Sequence, residues 1–285
     1  MAKRCSFNKN YLQQEFDKIA SKISHPITML LIGGGAMAFY GLKDATKDID
    51  IIIGDQKNLK TLTAALKSLN YKNPNSEVIT RAYNEMRANE ILENADRFRW
   101  DIFVKKVCNA LTFSEAMNAR ARDLWSKGKL KIQIASKEDI FLFKGITERE
   151  ADLDDKRLLA ETGLNWKTIH QECQNQSTLS DVLWESALYQ NLLDLKEKYK
   201  IESPIAKTLR NAAEKKLVEI IFTKEIEKGN NTVKSITQKV KEPQSFVRTE
   251  LKRLANKEQI RVDKTNKPHK FYINKKPGKA DNDAV

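Results

Sequence analysis

The sequence predicts an α/β domain, a helical extension and a small basic domain of helices closed by a hairpin. Three observations carry that prediction. Ile27 to Ile32 is apolar and β-prone and runs into Gly33-Gly34-Gly35, as a buried strand ending in a turn does. Asp48-Ile49-Asp50-Ile51-Ile52-Ile53 then reads as a second strand, and helical apolar spacing surrounds both. Charge is also unevenly placed. Pro204 to Val285 holds 20 Lys and Arg against 10 Asp and Glu, whereas the first 203 residues hold 31 against 28. Such a concentrated surplus points the C-terminal part at a polyanion; a lysine-rich solvated surface is the plainer alternative.

Composition sets the bounds. A length of 285 residues allows two domains, and 40% hydrophobic with 31% charged residues suits a globular chain. No apolar run approaches the roughly 20 residues that span a bilayer. Met1 to Cys5 is followed by polar residues rather than an apolar signal core. The expectation is a cytoplasmic protein with no membrane partner. Cys5, Cys108 and Cys173 are odd in number and widely spaced, which suggests reduced thiols.

In chain order, Lys9 to Ile23 predicts an amphipathic helix with Leu12, Phe16, Ile19 and Ile23 on one stripe. Gly33, Gly34 and Gly35 let backbone N–H groups approach a ligand, and they lie where a helix N-terminus adds positive potential. Ala36 to Tyr40 suits that short helix. On the strand from about Lys47 to Ile53, Asp48 and Asp50 share a face about 7 Å apart. Such a pair is costly without a cation, and a divalent metal is the natural candidate. Asn58 to Leu69 predicts a helix, and Tyr71 to Ser76 a loop.

Phe98 to Val104 predicts a strand that holds Asp101 among bulky apolar neighbours. A carboxylate there needs a purpose or a partner, such as Arg97 or Arg99. Ser114 to Trp125 reads as a helix and Lys129 to Ala135 as a strand. Ser136 then looks like the N-cap of a helix with an acid three residues on. Lys144 is a lone cation in the apolar turn that follows, so it needs an anionic partner or a use, unless it snorkels to the surface. Thr147 to Thr162 predicts a helix capped by Gly163, with Asp152 and Asp155 on one face. Gly163 to Tyr199 reads as helical. His170 and Cys173 have no further ligand nearby and read as core or surface. Pro204 ends that helical run.

The strand, the Gly33-Gly34 turn, the helix and the strand with Asp48-Ile49-Asp50 together resemble the nucleotidyltransferase fold of the DNA polymerase β superfamily. The likeness is closest to its minimal members, among them the AbiEii-type toxins, and covers about 170 residues. It implies a mixed sheet with flanking helices. Asp48, Asp50 and Asp101 would hold two magnesium ions, with manganese as the alternative metal. Gly33, Gly34 and Gly35 would cradle the phosphates of an NTP. The run from Lys144 to Asp155 is similar to that family's lysine and Asp-x-x-Asp segment. There the lysine contacts nucleotide phosphate and an aspartate of the helix joins the active site, so Lys144, Asp152 and Asp155 join the catalytic set. Ala151 departs from the arginine that often precedes the first aspartate. A solvated acidic helix face is the alternative.

The C-terminal part predicts helices over Ala212 to Lys228, Val233 to Val240 and Pro243 to about Asn256. A hairpin of Gln259–Asp263 and Lys270–Asn274 follows. Phe246, Leu251 and Leu254 are expected inward. This arrangement resembles a winged helix-turn-helix. The third helix would read bases through Gln244 and Arg248 with Lys252 and Arg253 beside them, and Lys264, Lys267 and Lys270 would form the wing on phosphates. The predicted domains are 1–203, 204–275 and a disordered tail, 276–285.

Together these readings imply transfer of a nucleoside monophosphate from NTP to an acceptor hydroxyl. The acceptor would be RNA, with tRNA first because related toxins modify it, and an antitoxin would be a partner. The alternatives are protein nucleotidylation, and a regulator that binds duplex DNA with an inactive or nucleotide-sensing first domain.

Overall fold

The computed structural model describes residues 5–74, 87–145, 150–180 and 182–274. The expected tail, the end of the Tyr71 to Ser76 loop and the start of the helix from Thr147 lie outside the described residues. The chain divides into two compact units between Leu209 and Arg210.

The first unit is built on strands β1 (Phe7–Asn8), β2 (Ile27–Ile32), β3 (Ala45–Thr46), β4 (Asp48–Ile53), β5 (Glu90–Glu93), β6 (Arg99–Val104), β7 (Lys106–Val107), β8 (Leu111–Thr112), β9 (Arg122–Lys127) and β10 (Leu130–Ile134). Six of them form one sheet in the order β5-β6-β4-β2-β10-β9. It is a mixed sheet, because β4 with β6 and β2 with β10 run parallel while the other neighbours run antiparallel. The central strands are Ile- and Leu-rich, as strands covered on both faces must be. Leu12, Phe16 and Ile19 of the helix Lys9–Ala20 pack into the core with Trp100 and Met29. The helix Gln56–Ser68 starts under an Asp55 cap.

Two elements differ from expectation. The helix after Ser114 covers only Glu115–Arg120, and Arg122 to Lys127 is strand β9. The cause is a tight hairpin: β9 and β10 are joined through Gly128, whose φ of +59° supplies the positive value a two-residue turn requires. The run Gly163 to Tyr199 is two helices, Trp166–Ser180 and Trp184–Tyr199.

In the second unit the helix Ala206–Glu227, which carries the chain across the division, is followed by Val233–Val240 and Gln244–Asn256. An antiparallel hairpin of β11 (Ile260–Asp263) and β12 (Lys270–Ile273) closes it. Phe222, Ile236, Val247, Leu251, Leu254 and Phe271 form its core. Val247, not Phe246, takes the inward place. The inward stripe runs Val247, Leu251, Leu254, leaving Phe246 36% exposed and edge-on to Phe222 at 6.3 Å. Among the described residues, no helix is long and apolar enough to cross a membrane.

Candidate functional site

The glycine turn and the Asp-x-Asp strand meet at one edge of the sheet. β2 ends at Ile32, which pairs with Asp50 on β4. The helix Gly33–Phe39 begins at once, with Gly33 in the left-handed region at φ +63°. A Cβ on Gly33 would lie 2.1 Å from Asp50 Oδ2, so only glycine allows this approach. Gly34 is held equally close: a Cβ there would lie 2.8 Å from the Thr46 hydroxyl, which donates to the Asp48 carbonyl at 2.9 Å. Gly33, Gly34 and Gly35 are all buried, and they are approached by Asp50 of β4, Thr46 of β3, and Leu31 with Ile49, respectively.

Asp50 and Asp101 are register partners on the parallel strands β4 and β6. Partners across such a pair share a face, so Asp48, Asp50 and Asp101 project to one side. Asp48 and Asp50 are half-buried and Asp101 is fully buried. Sequence reasoning gave Arg99 no part here beyond pairing with Asp101. It is 2% exposed, is the register partner of Asp48, and its Nε donates to Glu93. A guanidinium on the same face as three carboxylates lowers the cost of gathering them. Its two-residue offset from Asp101 was the available signal. Among the described residues, no group of three or more His, Cys, Asp and Glu side chains is arranged to hold a metal ion unaided.

Lys144, Asp152 and Asp155 come together in a second cluster. Lys144 Nζ donates to Asp152 Oδ1 at 2.7 Å and lies 2.8 Å from Asp155 Oδ2. Lys43 Nζ reaches Asp155 Oδ1 at 2.6 Å. Both aspartates are buried. Burial pulls the Lys144 amine down, but the combined attraction of Asp152 and Asp155 outweighs it and raises the pKa above 10.5. Lys43 lies between the glycine helix and β3, so the cluster ties the helix Glu150–Ala160 to the turn that leads into the Asp-x-Asp strand.

Replacing Lys144 by methionine removes a cation held at 2.7–2.8 Å from two buried carboxylates. The expected cost is about 3 kcal/mol, the low end for breaking a buried pair. The folded-state pKa of Lys144 lies above the ordinary value, so its contribution is whole below about pH 10.5 and lost as pH rises through the folded value. Denaturant unfolding of both proteins at pH 7 and 11 checks this, and the gap should narrow only at the alkaline pH.

In the second unit, Gln244, Arg248, Lys252, Lys264, Lys267 and Lys270 are exposed. Arg253 is not available in the same way. Its Nε donates to Glu250 at 2.7 Å, and its guanidinium lies 3.6 Å from buried Glu219.

A family model described as nucleotidyltransferase of unknown function (DUF6036) matches residues 10–203, and no curated protein matches the chain. The matched span holds the whole six-stranded sheet, both carboxylate clusters and the glycine turn. With more than half of its length covered, the chain belongs to this nucleotidyltransferase family.

Proposed function

We propose that the protein transfers a nucleoside monophosphate from an NTP to a hydroxyl of an RNA acceptor. One observation carries the reading: Asp50 and Asp101 stand in register beside Asp48 at the edge where Gly33 meets the strand. The acceptor oxygen bonds to the α-phosphorus, the bond to pyrophosphate breaks, and the hydroxyl proton leaves.

The donor set suits magnesium. Its oxygens are hard, and magnesium is commonly held by one or two carboxylates plus substrate phosphates. Asp48, Asp50 and Asp101 would hold two ions, and manganese satisfies the same donors. When bound, the metal supplies charge that stabilises the triphosphate and the attacking oxygen. The protein's own part is to fix the carboxylates. Gly33 holds Asp50 from one side, and pairing with β2 and β6 fixes its backbone. Lys144, Asp152 and Asp155 brace the adjoining turn through Lys43.

The second unit is read as a winged helix that presents nucleic acid, with exposed Arg248 and Lys252 on its third helix and Lys264, Lys267 and Lys270 on the hairpin. tRNA is the leading acceptor and a toxin role with an antitoxin partner follows from it. Incubation with each α-labelled NTP, magnesium and total cellular RNA tests the whole reading. Label on RNA is expected, label on protein points to protein nucleotidylation, and no label overturns the enzyme. The exposed polar face of Gln244–Asn256 favours one second reading, a regulator on duplex DNA. Arg248→Ala and Lys267→Ala separate the two. For RNA delivery both raise the KM for RNA and leave the KM for NTP unchanged. For a regulator, Arg248→Ala costs about 1–3 kcal/mol at one base position, and RNA kinetics do not move.

A further inference from the structure

A cleft of about 350 Å3 opens in the first unit, and the transfer chemistry above makes no use of it. Tyr40, Arg120, Arg122, Ser136, Lys137, Glu138, Thr162 and Gly163 line it. Its place follows from the sheet. Ile134, at the end of β10, pairs with Leu31 on one side and with Arg122, at the start of β9, on the other. Asp50 pairs with Ile32, the next residue of the same strand. By this register Arg122 shares a face with Ile134, Leu31 and Ile51, and Asp48, Asp50 and Asp101 project from the other face.

Tyr40 organises two cations there. Its hydroxyl donates to the Ala135 carbonyl at 2.8 Å, which fixes the ring. The Arg122 guanidinium carbon lies 5.3 Å and Lys137 Nζ 5.6 Å from the ring centroid. Both are within cation–π reach. The two neighbouring acids have other hydrogen-bond partners. Asp139 accepts from Arg120 and Ser136, and Glu138 accepts from the Asn165 backbone N–H at 2.9 Å. Arg120 is committed too, to Asp139 at 2.6 Å and Glu172 at 2.7 Å. Among the described residues, Arg122 and Lys137 have no carboxylate partner. Two cations held on one ring without a carboxylate partner favour an anion nearby. Guanidinium and ammonium groups are both phosphate-binding chemistry.

We propose that this cleft binds the phosphodiester backbone of the RNA acceptor through Arg122 and Lys137. The proposal rests on the reaction reading for its acceptor, but binding can be measured without transfer.

The test uses the full chain, a short fluorescein-labelled single-stranded oligoribonucleotide, and neither NTP nor metal. Anisotropy gives Kd across a salt series for wild type and for Arg122→Gln with Lys137→Gln together. The expected result is a Kd at least about tenfold higher and a salt slope lower by about 1.4, the release for two phosphates of a single strand. In the labelling reaction the KM for RNA rises and the KM for NTP does not. A merely structural role would lower Tm without that split. An unchanged Kd, a rise confined to the KM for NTP, or equal competition by polyglutamate overturns the cleft as an RNA site. A wild-type chain that binds RNA through these residues but transfers no label overturns the reaction alone. Transfer with unchanged RNA affinity in the double variant overturns the cleft alone.

Discussion

Asp50→Asn is expected to abolish nucleotidyl transfer and leave the fold standing. Asparagine keeps the shape of the side chain, so the packing against Gly33 and the pairing of β4 with β2 and β6 persist. What goes is a charged oxygen donor on the face shared with Asp48 and Asp101. Loss of one preorganised charge-stabilising group costs on the order of 10²–10³ in rate. Loss of a carboxylate that would hold the metal should reach about 10³-fold or more, about 4 kcal/mol. Stability should move the other way. Three carboxylates on one face repel one another in the metal-free protein, so the variant's Tm should hold or rise. Asp48→Asn should behave alike. Thermal melting and label transfer on the same preparations check both halves. Wild-type rates in both variants would mean that the chemistry lies elsewhere.

The sheet's centre was legible because its sequence is locally unambiguous. An apolar run, three glycines and an Ile/Asp alternation can be satisfied by little other than a strand, a turn and a strand. β9 was not legible, since Ser114 to Trp125 reads as one helix until the hairpin at Gly128 is known. β5 is four residues with a glutamate at each end, too short and too polar to stand out. The same contrast holds within the site. Lys144 is conspicuous as a cation in an apolar turn, and Asp152 and Asp155 as an acidic pair on one helix face, but Lys43, which reaches Asp155, lies about a hundred residues earlier with no local signal. Arg99 was considered only as a partner for Asp101, although its register places it opposite Asp48. The cleft around Tyr40 is the extreme case. Its residues come from segments near 40, 120, 136 and 162, and only the strand order brings them together.

Gly33→Ala separates the turn's backbone from its carboxylate neighbour. Two costs meet at this position. Holding an L-residue at φ +63° costs about 1–2 kcal/mol. The new methyl would also lie 2.1 Å from Asp50 Oδ2 and 2.9 Å from its Cγ, with the β4 backbone fixed on both sides. The carboxylate must swing away or the turn must open, and either removes Asp50 from its place beside Asp101. Transfer should fall about 10²–10³-fold, as for loss of a stabilising group. Unlike Asp50→Asn, this variant should also lose stability. A double-mutant cycle with Asp50→Ala assigns the loss. Truncating Asp50 removes the two closest atoms and leaves a Cβ at 3.2 Å, so the double variant should regain most of the stability beyond the backbone cost while remaining inactive. Strictly additive losses of stability would place the whole cost in the backbone and remove Gly33 from any role in positioning Asp50.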